Sequence, residues 1–243
     1  MLKIREKMKS IRESSGKQVK HSQVLLHHKV PNKQTSSKPT LIFEQHRKEI
    51  SGPLRILDLG CGNGRLLASF KNLKIDYLGI DNSIELLKIA QETYPKRKFR
   101  EMEMTSLELK DDTFDACFAV ASLHHLSTKL LRRKALSEAF RVTKKGGYFF
   151  VTVWNLWQPK YRKFIFKNIF NMIFRNPGDL KRTPQRHFGD TFIPFKNKDQ
   201  KILAKRYYFA YTKRGLKKDL EASGFYVTVI SKSRWNFYAI CRK

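Results

Sequence analysis

Acidic residues, cysteines and long apolar runs are all scarce in this sequence. The 243 residues include 21 Asp and Glu against 50 Lys and Arg, which gives a formal net charge of +29 at pH 7. No apolar run reaches the roughly 20 residues that a membrane-spanning helix needs, and residues 1–8 lack the apolar core of a signal peptide. So large an excess of positive charge predicts a polyanionic partner, first nucleic acid and second an anionic membrane surface.

Cysteine is too rare for a disulfide framework. Cys61, Cys117 and Cys241 have no metal-ligand spacing, and the last two fall in apolar runs that predict buried strands. We therefore expect no metal site and a reducing, cytoplasmic location. The length suits one folded domain with an insertion or a tail.

What the sequence does have is a glycine-rich turn between two predicted elements. The apolar run Leu54–Leu59 predicts a buried strand, and Arg65–Phe70 predicts the start of a helix. Gly60, Gly62 and Gly64 lie between them, and glycine lets the backbone turn with positive φ and approach a ligand closely. Together with the free N–H groups of a helix N-terminus, this context is typical of a site for a nucleotide-like ligand.

The turn differs from a phosphate-binding loop. It has the form G-x-G-x-G rather than G-x-G-x-x-G, and it lacks a G-K-[ST] ending. Asp58, two residues before the first glycine, suits a cationic group such as the amino group of a methionine moiety. Asp81 ends the second predicted strand, where a carboxylate grips a ribose diol in doubly wound folds. The alternative is an ordinary turn that binds nothing.

Together these residues resemble the first motif of the class I S-adenosylmethionine-dependent methyltransferases. The resemblance implies S-adenosylmethionine as the cofactor. It also places Glu103 opposite the adenine amino group and Met104 against the ring, although Glu103 equally fits an acidic surface turn. The cofactor-binding residues expected from the resemblance are Asp58, Gly60, Cys61, Gly62, Gly64, Asp81, Asn82, Glu103, Met104 and Ala121.

Strands and helices are predicted to alternate around this turn. Predicted strands at 75–80, 98–101, 113–120 and 148–153 alternate with a helix at 84–93 and a helix that begins at 127 or 128 and ends at 142. A helix at 213–223 precedes a closing strand pair. This alternation predicts an α/β three-layer sandwich with a mostly parallel seven-stranded sheet and an antiparallel final strand. We expect a basic N-terminal arm at residues 1–40 and a methyltransferase domain at residues 41–243. The domain would begin with a helix at 41–50 and carry a basic insertion at about 155–205.

The fourth predicted strand leads into the loop His124–Thr128, at the ligand end of the sheet. The loop lacks the Asn-Pro-Pro-Tyr-like tetrad of base-amino methyltransferases. A pyrimidine-C5 enzyme needs a cysteine nucleophile at this place, and the sequence offers none. Cys61, within the glycine turn, is expected to face the cofactor instead. Both chemistries are therefore disfavoured.

A narrower resemblance runs from about residue 54 to the end of the chain, and this loop is its first anchor. The chain is similar to the methyltransferases that esterify 5-carboxymethyluridine at the wobble position of tRNA, some of which need a small zinc-binding partner protein. It departs from them at Phe195, where Trp is usual, and at Phe209, where His is usual. The anchors of the resemblance are His124–Thr128, Trp154 just after the fifth predicted strand, Asp190–Phe195, Arg206–Tyr208 and Trp235-Asn236.

A carboxylate acceptor suits these residues chemically. With a pKa of about 4 it is already a nucleophile at neutral pH, so it needs orientation rather than a base. We expect Arg206, with Tyr207 or Tyr208 beside it, to be the catalytic group that hydrogen-bonds and orients the carboxylate. We expect His124 or His125 to hydrogen-bond the uracil or the carboxylate. In the alternative, Arg206 contacts a phosphate, one histidine packs under the sheet and the other caps the next helix.

The predicted insertion interleaves basic and aromatic residues. Helical spacing predicts that its aromatic residues form the core face of a helix, with the basic residues opposite along an RNA backbone. Trp154 or Phe195 is expected to stack on a splayed base, or else to belong to the core. The residues are Lys160, Arg162, Lys163, Lys167, Arg175, Lys181, Arg182, Arg186, Lys196, Lys198, Lys201 and Lys205, with Trp157, Tyr161, Phe164, Phe166, Phe170 and Phe174.

The sequence thus predicts S-adenosylmethionine-dependent methylation of tRNA in its anticodon loop, most concretely of the carboxymethyl group on a wobble uridine. Two alternatives stay open. One is a methyltransferase for a small carboxylate or lipid-like acceptor, and the other is a non-catalytic RNA-binding protein on the same scaffold.

Overall fold

The computed structural model describes residues 53–70, 73–174, 188–196 and 202–243, all within one unit, Pro53–Lys243. The predicted N-terminal arm, the predicted helix at 41–50 and part of the predicted insertion lie outside the described residues. So do the side chains of residues 172, 195, 196, 202 and 203, and the stacking role predicted for Phe195 therefore stays a prediction.

In the part of the chain that the structure describes, seven strands form one sheet and two more form a separate hairpin. The strands are β1 (Leu54–Leu59), β2 (Ile75–Asp81), β3 (Lys98–Glu101), β4 (Phe114–Val120), β5 (Thr143–Trp154), β6 (Asp190–Lys196), β7 (Ile202–Phe209), β8 (Tyr226–Lys232) and β9 (Asn236–Arg242). The sheet order is β3-β2-β1-β4-β5-β9-β8. Strands β1 to β5 pair in parallel, and β9 is antiparallel to both of its neighbours. This confirms the predicted sheet.

Within the described residues, four α-helices connect these strands: α1 (Ile84–Thr93), α2 (Lys129–Val142), α3 (Pro159–Ile173) and α4 (Lys213–Ala222). The side-chain oxygens of Ser83, Thr128 and Thr212 accept a hydrogen bond from the first turn of α1, α2 and α4, which satisfies one free N–H group in each helix. The segment Arg65–Phe70, predicted to open a helix, is a 3-10 helix of six residues, a form used in short pieces because its bonds are poorer.

Strand β5 is longer than predicted at both ends. The predicted turn at 144–147 belongs to the strand, and Trp154 is its last residue rather than the first one after it. The cause is pairing with the end of the chain. Gly147 O accepts a hydrogen bond from Lys243 N, and Gly146 N donates to Lys243 O, so backbone groups expected to turn towards solvent have partners.

Helix α3 and the β6–β7 hairpin lie within the predicted insertion. Ile165 of α3 packs with Leu156, Tyr208 and Ala210 in a small buried cluster, and β7 contacts the 3-10 turn Leu123–His125 that follows β4. The hairpin is thereby held at the carboxyl ends of the parallel strands. The largest core cluster lies between the sheet, α2 and α4, and Leu87 and Ala90 of α1 are buried as well.

The prediction for the aromatic residues of this helix is largely wrong. Phe166, Phe170 and Phe174 are exposed, and the inner face is formed by Tyr161, Ile165 and Ile169. Isoleucine and phenylalanine alternate along the helix, so two apolar stripes compete for the core, and the sequence pattern does not rank them.

Within the described ranges, no helix combines the length and the apolar character needed to cross a membrane. The three cysteines are free and buried. The same ranges contain no group of three or more His, Cys, Asp or Glu side chains that could hold a metal ion.

Candidate active site

The glycine turn after β1 is held close to its neighbours. Gly60, Gly62 and Gly64 have φ of 73°, 54° and 76°, in the region that favours glycine. The N–H groups of Gly60 and Cys61 donate to Ile80 O at 2.8 and 2.9 Å. A Cβ on Gly60 would lie 2.5 Å from the Cβ of Ser122, so no larger residue fits there without a shift of the backbone.

The thiol of Cys61 is packed between the glycine turn and β2, and it donates to Gly62 O at 3.7 Å. A Cβ added to Gly79 of β2 would lie 2.8 Å from its Sγ, which places the sulfur beneath the turn and against the sheet. Burial raises the pKa of the thiol, and the charges of Asp58 and Asp81 raise it further. The thiol is therefore neutral and inert, and only the backbone of Cys61 is suited to meet a ligand.

Asp58 is a buried carboxylate with one oxygen left over. It is 2% exposed; its Oδ2 accepts a hydrogen bond of 2.8 Å from the Tyr77 hydroxyl, while Oδ1 has no partner among the described residues. Burial raises its pKa to about 7, against the lowering effects of the Tyr77 hydrogen bond and the Arg65 charge. A buried carboxylate oxygen without a partner is costly, and a cationic ligand group would satisfy it.

Asp81 ties the glycine turn to helix α1. Its Oδ2 accepts from Gly62 N at 2.8 Å and its Oδ1 from Ser83 N at 3.0 Å. A carboxylate has about four lone-pair positions, so acceptor capacity is left for a ligand hydroxyl. Beside it, the Asn82 amide donates to Glu103 Oε1 at 3.0 Å, with both side chains exposed. Residues 81, 82 and 103 thus form one polar rim.

Met104 and Ala121 complete this half of the site. The Met104 methyl carbon would lie 3.1 Å from a Cβ on Gly60, so its side chain packs on the turn. Ala121 has a φ of +57°, a strained position for a residue other than glycine. Its N–H donates to Thr152 O at 3.0 Å. The next residue, Ser122, donates its hydroxyl to Leu59 O at 2.7 Å.

His124 lies at the centre of a second cluster. Its ring is fully buried, and neither ring nitrogen has a partner among the described residues. Its ring centroid lies 5.7 Å from that of Tyr208 and 5.6 Å from that of Trp154, and the Trp154 and Tyr208 rings stack at 5.2 Å. Burial lowers the pKa of His124 well below the usual range, so the imidazole is neutral at pH 7.

His125 lies beside this cluster and joins it to the hairpin. Its Nδ1 is 3.3 Å from Tyr207 O, and its ring centroid is 4.8 Å from that of Tyr208. Its side chain reaches the surface, and partial desolvation lowers its pKa; the Tyr207 O contact opposes this effect and the nearby positive charge of Arg206 adds to it. The next helix is capped by Thr128, so the alternative of a capping histidine is wrong for His125.

Strand alternation separates the two tyrosines next to Arg206. Arg206 and Tyr208 share one face of β7, and the guanidinium hydrogen-bonds the Tyr208 hydroxyl, opposing the burial that raises the pKa of that phenol. Tyr207 points the other way, where its hydroxyl donates to Asp190 Oδ1 at 2.6 Å and lies 2.8 Å from Ser127 O. Of the two tyrosines, Tyr208 therefore accompanies Arg206.

Sequence reasoning missed three residues of the site. Arg132 is buried in α2; it donates to Leu126 O at 3.0 Å, and its guanidinium lies 3.5 Å from the centroid of the Phe209 ring. Arg65 influences the pKa values of Asp58, His124 and His125 alike, so it lies within electrostatic reach of both halves. Tyr77 could have been found, because strand alternation puts it on the same face as Gly79 and Asp81.

Comparison with known proteins agrees with this architecture. Residues 57–151 match a family model described as a methyltransferase domain. A solved S-adenosylmethionine-dependent methyltransferase from Methanosarcina mazei superposes with a TM-score of 0.63 at 20% identity, over 83% of this chain and 96% of that one. A Haloferax volcanii complex of a methyltransferase with the activator Trm112 superposes with a TM-score of 0.52 at 12% identity, over 85% and 93% of the two chains. These likenesses confirm the predicted fold.

Curated relatives confirm the narrower resemblance as a similarity over part of the chain. A tRNA (carboxymethyluridine(34)-5-O)-methyltransferase from Arabidopsis thaliana is 38% identical over 99 residues, which are 41% of this chain and 24% of that protein. The Saccharomyces cerevisiae protein of the same description is 30% identical over 142 residues, which are 56% and 50% of the two chains. The chain thus spans half or less of the length of these relatives.

Proposed function

We propose that this chain, whose residues 57–151 match a methyltransferase domain, methylates tRNA with S-adenosylmethionine and esterifies the carboxymethyl group of a wobble uridine. The observation that carries the proposal is the cluster of Arg206, Tyr208, His124 and His125 next to the glycine turn. The descriptions of the curated relatives support the same substrate.

The first half of the site fits S-adenosylmethionine. The unpartnered Oδ1 of Asp58 suits its amino group, and the glycine turn, whose three glycines have positive φ, lets the backbone approach its methionine part. Asp81 is suited to the ribose hydroxyls, with Asn82, Glu103 and Met104 on the adenine side. When bound, the cofactor supplies a methyl group activated by a sulfonium.

The second half suits a carboxylate. Arg206 offers a planar pair of N–H donors, and the Tyr208 hydroxyl adds a third donor that can turn towards an anion. Because a carboxylate with a pKa of about 4 carries no proton at neutral pH, these donors need to orient it and not to remove a proton. The buried, neutral His124 can hydrogen-bond a neutral base without adding charge. Trp154 and Tyr208 form an apolar wall that excludes water from one side.

The same proposal extends to partners and location. The anticodon loop of tRNA is the proposed substrate, and the enzyme is proposed to act in the cytoplasm. A small activating protein is a further proposed partner, since the Haloferax volcanii methyltransferase of similar fold is in complex with such an activator.

Nucleoside mass spectrometry tests the reaction. Purified protein is incubated with S-adenosylmethionine and tRNA that carries free carboxymethyluridine, with and without a Trm112-type activator. We expect the methyl ester to form, and Arg206→Ala to lower its rate at least about tenfold, as for loss of a charge-assisted hydrogen bond. Arg214→Ala, which removes an exposed arginine from α4, is the matched control and should leave the rate unchanged.

Cofactor binding measured by calorimetry separates the possible failures. If Arg206→Ala and Arg214→Ala lowered the methylation rate equally, Arg206 would have no specific role in the reaction. Methylation of small carboxylic acids but not of tRNA, with the cofactor bound normally, would assign the site to a small acceptor and contradict the proposal.

A further inference from the structure

Helix α3 presents aromatic and basic side chains together on its outer face. Phe166, Phe170 and Phe174 recur every four residues and are 56%, 60% and 68% exposed. Lys163 and Lys167 are exposed as well, and each lies within one turn of a phenylalanine on the same side of the helix. We call these five residues the outer face of α3.

This face is not an unfilled part of the core. The inner face of the helix already packs through Ile165 against Leu156, Tyr208 and Ala210. On the outer face, the rings of Phe170 and Phe174 contact each other with centroids 4.4 Å apart. Contiguous apolar patches on the surface of a protein mark interaction sites, whereas single exposed apolar residues do not.

The charge of the helix favours a polyanion as the partner. Helix α3 contains four basic residues and no acidic one, in a chain with a net charge of +29. Single-stranded RNA offers phosphates to the lysines and flat bases to the rings, and base–aromatic stacking is largely independent of sequence. A helix that lies on a membrane separates its basic and apolar residues onto opposite faces, whereas here they are mixed on one face.

We propose that the outer face of α3 stacks unpaired nucleotides that flank the modified base. The proposal rests on the proposed function for the identity of the RNA as tRNA, and it adds the surface that holds the rest of the loop. Because Ile165 on the inner face contacts Tyr208 of the candidate acceptor site, the outer face lies about one helix diameter, about 10–12 Å, from that site. Neighbouring nucleotides of one loop can span that distance.

The test compares two double variants of the full chain. Phe166→Ala with Phe170→Ala removes two rings and keeps every charge, and alanine maintains the helix. Lys163→Gln with Lys167→Gln removes two charges and keeps the rings. Tyr226→Ala, which removes a ring that is 73% exposed on β8, is the matched control. Binding to a labelled anticodon stem-loop RNA and to an RNA duplex of equal length is measured by fluorescence anisotropy over a range of salt concentrations, without cofactor.

We expect the phenylalanine variant to lose affinity for the stem-loop about tenfold or more, with duplex affinity and the salt dependence unchanged, because stacking needs unpaired bases. The lysine variant should reduce the magnitude of the slope of log K against log salt by about 1.8 for the duplex and by about 1.4 for contacts to the unpaired loop. Tyr226→Ala should change neither. Unaltered thermal unfolding and cofactor binding establish that the variants are folded.

The outcomes separate this inference from the proposed function. If no methyl ester forms but the phenylalanine variant still loses stem-loop affinity, the stacking surface stands and the proposed reaction falls. If the ester forms and the phenylalanine variant binds the stem-loop as tightly as the wild type, the inference is overturned alone. If the phenylalanine variant loses binding to phosphatidylserine–phosphatidylcholine vesicles while its RNA affinity stays intact, the outer face of α3 binds membranes and the inference is also overturned.

Discussion

Asp58 combines two features that rarely occur together in a folded protein. Its carboxyl group is buried, and one of its oxygens has no partner among the described residues. The Tyr77 hydroxyl satisfies the other oxygen, yet the pKa still rises to about 7 because burial outweighs that bond. Asp58 therefore lowers the stability of the ligand-free protein, and a bound cationic group would satisfy its free oxygen.

Asp58→Asn should separate stability from binding. A carboxyl group whose pKa is raised on folding stabilises the fold at low pH, and this contribution is lost as the pH rises through the folded value. For Asp58 this stabilisation is lost between about pH 4, the pKa in the unfolded chain, and about pH 7, the pKa in the folded protein. A difference of about three in pKa corresponds to about 4 kcal/mol as an upper bound, so the variant should be more stable than the wild type at pH 8. Its affinity for S-adenosylmethionine should fall at least about tenfold, the loss expected for a charge-assisted hydrogen bond.

Urea unfolding at pH 5 and pH 8, together with calorimetric titration of the cofactor, checks both parts. Wild-type affinity should rise with pH through about 7, because an ionised Asp58 pairs better with an ammonium group. Asp76→Asn, on the neighbouring strand β2 and with 45% of its side chain exposed, is the control and should show neither effect. A cofactor affinity that is the same in Asp58→Asn and the wild type would contradict the role given to this carboxylate.

Among the elements, those fixed by local chemistry were predicted well and those fixed by tertiary pairing were not. The first glycine turn, α1 and α2 follow from glycine spacing, caps and apolar periodicity, and the structure has them near the predicted bounds. The start of β5 depends on pairing with the last residue of the chain, Lys243, which no local pattern reveals. For α3, two apolar stripes fit a core equally well in sequence, and packing against Tyr208 decides between them.

The candidate acceptor site shows the same limit. Motif order predicted Arg206 and the two histidines, but only the strand register distinguishes Tyr208 from Tyr207. Arg132 was missed because an arginine in the middle of a helix normally indicates a solvated face. Here it is 2% exposed and joins the loop after His125 to the β6–β7 hairpin through Leu126 O, the Phe209 ring and the Tyr207 hydroxyl at 3.5 Å.

Arg132→Gln should destabilise the β6–β7 hairpin and leave cofactor binding nearly unchanged. Removal of one partner from a buried, charge-assisted contact is expected to cost roughly 2–4 kcal/mol in unfolding free energy. Cofactor affinity should stay within about twofold, because the contacts of Arg132 named above all lie on the acceptor side. Methyl transfer to tRNA should fall more than affinity for the cofactor does, since Arg206 is held by the same hairpin.

The neighbouring Arg133→Gln provides the control for Arg132. Arg133 makes a partly exposed ion pair with Asp219 at 3.4 Å, and such pairs contribute about 0–1 kcal/mol. Unfolding in urea and titration with S-adenosylmethionine compare the two variants. Equal destabilisation by both substitutions, or parallel loss of cofactor binding in Arg132→Gln, would show that Arg132 does not act through the hairpin.

At the scale of the whole molecule, the charge is spread along the chain. Residues 1–52 contain 12 basic and 4 acidic residues, so a net charge of +21 belongs to residues 53–243. The described unit thus carries enough positive charge to attract a polyanion without help from the N-terminal segment. Within it, the acidic residues of the site, Asp58 and Asp81, lie on the cofactor side, and the acceptor side presents Arg206 and α3. The molecule is therefore divided into a half that suits a cationic ligand and a half that suits an anionic one.

This division predicts that cofactor and RNA binding respond to different changes. Asp81→Ala should weaken S-adenosylmethionine binding at least about tenfold, as expected for loss of a charge-assisted hydrogen bond, and leave RNA affinity within about twofold. RNA affinity should fall steeply with salt, by about 10³ or more between 50 and 200 mM if six or more phosphates are contacted, while cofactor affinity changes little. Calorimetry and anisotropy at the two salt concentrations measure both quantities, and Asp81→Asn, which keeps one acceptor oxygen, should be intermediate. A shallow salt dependence would favour a small acceptor, and equal loss of both ligands in Asp81→Ala would mean that the two halves are one coupled site.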